Sequence, residues 1–237
     1  MRIAVISDLH LGIDEITDEF GHDDAEFLKF LDFLEADHEQ IVLLGDIYET
    51  LTPPWPGAWS EALEAVQSRH QALTDRFRGP KYSYIHGNHD LVAARLLGAP
   101  GELWLEVDGT RILFTHGHMH DWLIRRARCI SEIGVWFGGL LRRIGLGAVY
   151  RMLEQMEHRL HSSVANADPS QNSFQRWATH MARHRGADII VTGHTHTGGC
   201  AEHGRQLFMN SGSCSLGHTS FLSLDTRSGQ FGFHSGW

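Results

Sequence analysis

The run Asp188-Ile-Ile-Val-Thr-Gly-His194-Thr-His196 constrains this chain more than any other stretch. The apolar and β-branched residues after Asp188 have the length and content of a strand buried on both faces. A glycine then turns the backbone, and two imidazoles follow at i and i+2. Sheets in α/β proteins place their chemistry in the loops that leave the carboxyl ends of strands. Neutral imidazole is a good ligand for borderline transition metals, so paired histidines at such a point invite an ion. Taken alone, the stretch reads equally well as a solvated loop. Four further strand ends, repeating the arrangement, decide the matter.

Residues 2–7 form a short apolar strand that runs into Asp8-Leu-His10-Leu-Gly12. Residues 40–44 run into Gly45-Asp46-Ile-Tyr-Glu49, where the glycine allows close backbone approach. Residues 82–85 lead to His86-Gly87-Asn88-His89-Asp90. Residues 103–107 and 111–115 make a hairpin about Asp108-Gly109, a strong two-residue turn signal. That hairpin runs out into His116-Gly-His118-Met-His120. Three histidines at i, i+2 and i+4 cannot all point one way without a turn, so one ligand is expected there. Helical patterns fill 22–39, 58–78 and 91–97, and strands at 206–209, 220–224 and 230–233 close the sheet. Strands alternating with helices predict an α/β fold in a single domain spanning 1–237.

The net charge of −9 argues against a duplex nucleic-acid binder. Eighteen histidines nearly match the twenty lysines and arginines, a bias toward metal or proton chemistry. Cys129, Cys200 and Cys214 are odd in number and lack C-x-x-C spacing. They predict reduced, buried thiols in a cytoplasmic protein. The chain opens directly on a strand, so no signal peptide is expected, and no apolar run is long enough to span a membrane. Residues 121–186 break the α/β rhythm and read as an inserted helical cap, with a polar loop at 162–172. Between positions 121 and 151, Arg125, Arg126, Arg128, Arg142, Arg143 and Arg151 outnumber Asp121 and Glu132, among Trp136, Phe137, Leu140 and Leu141. Two accounts fit the cap. It is a helical hairpin with a solvated basic face, or a cover that takes an anionic, partly apolar substrate or touches a membrane surface.

Asp8, His10, Asp46, Asn88, His116, His194 and His196 together offer more donors than one four-coordinate ion needs. They suit two ions sharing a carboxylate, each with open positions. These five motifs resemble the signature of the calcineurin-like metallophosphoesterase family over residues 3–213, outside the insertion. The resemblance implies a four-layer α/β/β/α sandwich of two mixed sheets and a dinuclear site at the sheet edges. It implies Asp8, His10 and His196 on one metal, Asn88, His116 and His194 on the other, and Asp46 bridging. His89 would be the catalytic histidine and Asp90 its orienting carboxylate. The implied reaction is attack of a metal-activated hydroxide on phosphorus, with His89 protonating the leaving oxygen. Manganese leads among the ions such mixed donors accept, with iron, zinc, nickel and cobalt also suited.

The cap, together with Gly45-Asp46-Ile-Tyr-Glu49, is similar to the bacterial UDP-2,3-diacylglucosamine hydrolase branch, which cleaves a lipid-linked pyrophosphate. That likeness implies substrate contacts from His118, Trp136, Arg142 and Arg143, and a peripheral position at the inner membrane surface. The chain departs from the branch at His118, where aspartate is usual, and at Thr197-Gly198, where Arg-Pro is usual. Two other readings stay open: a nucleotide or cyclic-nucleotide phosphodiesterase or nuclease on this scaffold, and a non-enzymatic metal-binding interaction protein.

Overall fold

A computed structural model of the chain describes residues 1–149 and 172–237. Three short apolar strands, β1 (Arg2–Ile6), β2 (Gln40–Leu44) and β3 (Tyr82–Ile85), pair in parallel. β9 (Ser220–Asp225) joins β1 antiparallel and β10 (Gln230–Ser235) closes that edge, giving the order β10-β9-β1-β2-β3. The second sheet runs β4 (Glu102–Val107), β5 (Thr110–Thr115), β6 (Ile189–Thr192), β8 (Gln206–Asn210) and β7 (Gly199–His203). Its three central strands are parallel and its two edge strands antiparallel.

Successive side chains of a strand point to opposite faces, and this period separates the cores. Ile3 and Val5 of β1 face the second sheet, where they meet Val42, Leu222, Ile112, Phe114, Val191 and Met209. Ala4 and Ile6 face the other way, onto α1 (Asp24–Asp37), α2 (Trp59–Arg69) and α3 (Gln71–Phe77) through Phe27, Phe30, Leu34, Leu63 and Leu73. The outer face of the second sheet is covered by α7 (Ser173–Arg185), whose Phe174, Ala178 and Ala182 pack on Leu113, Ile190 and Phe208. The stack is helix, sheet, sheet, helix, as the resemblance implied.

Local chemistry fixes the ends of these helices. Asp23 caps α1 by accepting from the amides of Ala25 and Glu26, and Asn172 does the same for α7 at Phe174 and Gln175. Gly186 ends α7 in a left-handed turn at φ 72°. The helical stretch expected over 58–78 is two helices broken at His70, whose Nδ1 lies 2.7 Å from Asp24 Oδ1.

The structure differs from the sequence expectations in three places. Ser173–Arg185, assigned above to the cap, is the fourth layer of the sandwich; the described part of the cap is α5 (Trp122–Arg126) and α6 (Arg128–Arg143). Arg151 and the polar loop expected at 162–172 lie, but for Asn172, outside the described residues. β7 was not expected from its sequence, Gly-Cys-Ala-Glu-His, and sits at a sheet edge with β8 as its partner. Cys214 is buried as expected, whereas Cys129 and Cys200 are exposed.

Leu222 is fully buried between the two sheets. Leu222→Ala should lower unfolding free energy by about 2–5 kcal/mol, the range for truncating a core leucine, measured by urea denaturation.

Candidate metal centre

Five loops leave the carboxyl ends of β1, β2, β3, β5 and β6 side by side, and the backbone ties them together. Asp8 N donates to Gly45 O at 3.0 Å and His10 N to Asp46 O at 3.0 Å, so the first two loops continue the β1–β2 pairing. His89 N donates to Asp46 Oδ1 at 2.8 Å, and Gly193 N donates to His116 O at 3.1 Å. Asp8, His10, Asp46, His194 and His196 are five of the seven non-glycine residues held at positive φ among the described residues. That conformation costs an ordinary side chain energy and persists only where the surroundings enforce it. Close approach explains two of the glycines. A Cβ on Gly87 would lie 2.2 Å from Asp46 Oδ1, and one on Gly193 would lie 2.8 Å from Asp8 Oδ2.

The predicted ligands converge. Asp8, His10 and His196 offer ligand atoms within 4.8 Å of one another, and so do Asp46, His116 and His194. His196 Nε2 is 3.2 Å from Asp8 Oδ1, and His116 Nε2 is 3.1 Å from Asp46 Oδ2. His116 Nδ1 is 2.8 Å from Leu44 O, where it donates, which turns the Nε2 lone pair into the centre. Buried polar atoms normally find hydrogen-bond partners. Here Asp8 Oδ1, both ring nitrogens of His10, Asn88 Oδ1 and His116 Nε2 are buried without one among the described residues. Such a set of unpartnered nitrogen and oxygen atoms around one point fits divalent metal ions.

Electrostatics follow from burial. Burial opposes charge on Asp46, yet the imidazoles of His116 and His89 hold its carboxyl well below the usual range. Burial also disfavours a charged His89, but Glu49 and Asp46 overcome this and raise its imidazole to about 10. The same balance, with His89 and His10 as the partners, keeps Glu49 down at about 2. His194 goes the other way: burial, then the neighbouring His116, lowers it to about 4, leaving a neutral ligand.

Asp90 does not orient His89, contrary to expectation. Its buried carboxylate takes the amides of Ile47 at 2.8 Å and Gly87 at 2.5 Å and the Tyr84 hydroxyl at 2.7 Å, bracing the second loop against the third. The partner of His89 is Glu49, with Nδ1 and Oε2 2.5 Å apart. Glu49 stands three residues after Asp46 in the same strand-end loop, which was the signal available in sequence. Ser7, which donates to Asp8, Ser211, 2.7 Å from the Ser7 hydroxyl, and Asn210, which donates to Gly193 O at 2.8 Å, carried no such signal.

The cap residues divide. A cavity of about 470 Å³ lies over the centre, its floor including Asp46, Asn88, His89, His194 and His196. Val135, Phe137, Leu141 and Arg142 line it from α6. Trp136 and Arg143 do not. The Trp136 indole donates to Pro53 O at 3.1 Å, and Arg143 pairs with Asp14 at 2.7 Å, so both moor the helix. Arg142 pairs with Glu19 at 2.7 Å on the cavity wall. His118 is buried behind His116, ring centroids 5.7 Å apart, and away from the cavity.

Gly87→Ala should drive a methyl into the Asp46 carboxylate. Metal content by elemental analysis should fall by at least half, with circular dichroism still native.

A family model for calcineurin-like phosphoesterases matches residues 1–198. The chain is 26% identical over 217 residues to a UDP-2,3-diacylglucosamine hydrolase of Blochmanniella pennsylvanica, covering 83% of this chain and 79% of that protein. A solved structure described as a novel archaeal phosphodiesterase is 16% identical, with a TM-score of 0.50 and 99% of each chain covered. At that identity the likeness bears on the fold alone. The chain belongs to the calcineurin-like phosphoesterase family, a family of metal-dependent phosphoester hydrolases.

Proposed function

We propose that this phosphoesterase hydrolyses a phosphodiester or pyrophosphate bond at a two-metal centre, in a substrate with an apolar portion such as UDP-2,3-diacylglucosamine. The observation that carries the reading is the cavity that joins a floor of metal-ligand candidates to an apolar wall from α6. The relative with a diacylated sugar nucleotide in its name supports the substrate class.

Asp8, His10 and His196 would hold one ion, Asn88, His116 and His194 the other, and Asp46 both. Manganese suits these mixed donors, as do iron, zinc, nickel and cobalt. Bound there, such ions supply Lewis acidity toward phosphoryl oxygens and lower the pKa of water. His89 keeps its proton because Glu49 occupies Nδ1, which leaves Nε2 to deliver a proton to the leaving oxygen. Ile124, Val135, Phe137 and Leu141 exclude water from one side of the floor and offer apolar surface to an acyl chain.

Peripheral membrane contact on the cytoplasmic face is part of this reading. Trp122, Ile130, Ile133 and Phe137 on α5 and α6, and Ile144 just after α6, are exposed, with Arg125 and Arg126 on α5. Exposed apolar residues flanked by arginines suit an anionic lipid surface. No helix among the described residues is long and apolar enough to cross a membrane.

Asp46→Ala should abolish turnover of bis(p-nitrophenyl) phosphate and strip metal; full activity with two ions retained would refute a shared carboxylate. His89→Ala and Glu49→Gln should keep the metal. Turnover of esters with poor leaving groups should drop about 10²–10⁴-fold and less for p-nitrophenolate, which needs little protonation. Equal losses for good and poor leaving groups would remove the proton-transfer role. Phe137→Ala should raise KM for an acylated sugar nucleotide about tenfold, because each buried methylene contributes about 0.8 kcal/mol. Its effect on a small aryl diester should be within about twofold, and an equal loss on both would refute acyl binding.

A further inference from the structure

A second cavity, of about 530 Å³, meets the first at His196. It is built by the loop after β8 and the last strand: Gly212, Ser213, Ser215, Leu216, Gly217, His218, Thr219 and Ser220 with Phe233 and Ser235. The residue common to its lining and that of the cavity beneath α6 is His196, which is 46% exposed at its side chain. A substrate held at the metal centre therefore has two adjoining cavities to fill. A phosphomonoester would use one and leave the other to water.

The chemistry of the two linings differs. The cavity under α6 contains Glu19, Asp121 and Arg142 among apolar side chains. Among the described residues, the second is lined by no lysine, arginine, aspartate or glutamate; it presents hydroxyls, glycine backbone, imidazole and one phenyl ring. It holds no cation for a second phosphate and no acid for an amine. Ser213 donates to Asp8 O at 3.0 Å, so Ser215, 2.7 Å from it, donates to Ser213 and keeps lone pairs to accept. Ser220 is committed to the carbonyls of Ser211 and Ser213. The Thr219 and Ser235 hydroxyls and the His218 ring take no partner among the described residues and face the groove. Phe233 borders the groove with its ring packed against Gly198, where a Cβ would fall 1.9 Å from it. Neutral donors and acceptors beside an aromatic ring suit a neutral, hydroxyl-bearing ring group with a planar partner.

We infer that this groove binds the nucleoside half of the substrate, a pentose with its base, while the cavity under α6 takes the other half. The inference rests on the proposed hydrolysis of a diester or anhydride and names where its polar substituent lies. Thr219, Ser235 and His218 would contact the sugar or base, and Phe233 would border them.

The test uses the metal-loaded full chain and isothermal titration with uridine 5′-monophosphate, ribose 5-phosphate and inorganic phosphate. The nucleotide should bind at least about tenfold tighter than inorganic phosphate, and ribose 5-phosphate should fall between. Thr219→Val and His218→Ala, made separately so that one misfolded variant does not void the test, should each remove most of that difference. In parallel, the specificity ratio for thymidine 5′-(p-nitrophenyl phosphate) over bis(p-nitrophenyl) phosphate should fall about tenfold. Equal affinity for nucleotide and phosphate, or a nucleotide preference untouched by both variants, would overturn the groove assignment while leaving hydrolysis intact. Nucleotide binding that depends on Thr219, with no diester or anhydride turned over by the parent protein, would keep the groove and sink the hydrolytic reading.

Discussion

Asp8, Asp46 and Glu49 are three carboxylates buried within one loop cluster, each 3% exposed or less. Unpaired charges in such a place cost several kcal/mol each, so the rest of the molecule has to answer them. The answer is a cage of imidazoles. His116 and His196 stand by Asp8, His116 by Asp46, and His89 and His10 by Glu49. Several of their ring nitrogens and carboxylate oxygens have no hydrogen-bond partner among the described residues, so the cage alone does not complete the site. Divalent cations would complete it, because they offset the acids and use the lone pairs that the histidines leave unspent.

Holding such a cage open requires a rigid support. Left-handed backbone at Asp8, His10, Asp46, His194 and His196 puts consecutive polar side chains into the same small volume. The cost is met by the sheets below, where β1, β2, β5, β6 and β8 are fully or mostly buried and pair in register up to the loop boundary. Asp90 and Asn210 then act as internal braces. Each is a buried side chain whose polar atoms hold the backbone or side chains of neighbouring loops. The strain is thus local and the support distributed, an arrangement suited to pre-organised chemistry.

Much of this was legible in sequence, and the reason is physical. Buried parallel strands are continuous apolar runs, and in three of the loops a ligand candidate directly follows a glycine (Gly45-Asp46, Gly87-Asn88, Gly193-His194), so order and spacing carry the centre. His89 was legible as a polar site residue, but its partner was misread. Adjacency in sequence favoured Asp90, while the turn after Asn88 sends the two side chains apart and brings Glu49 to the ring instead. β7 was missed because Gly-Cys-Ala-Glu-His contains no β-branched or aromatic residue, and an edge strand can be held by its neighbour without propensity of its own. Ser173–Arg185 was placed in the cap because it follows an irregular stretch. Its apolar face, Phe174, Ala178 and Ala182, belongs to the second sheet.

The arginines of the cap illustrate how charge patterning misleads. A basic helix over a phosphate centre suggests anion capture, but Arg142 and Arg143 pair with Glu19 and Asp14 on the loop beneath. Their function in this geometry is to fasten α6 across the centre, together with the Trp136 contact to Pro53. Gly139 supports the same end, because a Cβ there would lie 2.9 Å from Thr52 and hold the helix off. Glycines in a helix interior cost roughly 1 kcal/mol each relative to alanine. α6 carries Gly134, Gly138 and Gly139, so its position is maintained by these moorings more than by its own helical preference. On the proposed reading, charge recognition would fall to the floor, where the ligand candidates lie, and shape and apolarity to α6. The two tasks sit on different elements: substrate preference can change in α6 without disturbing the loops that hold the centre.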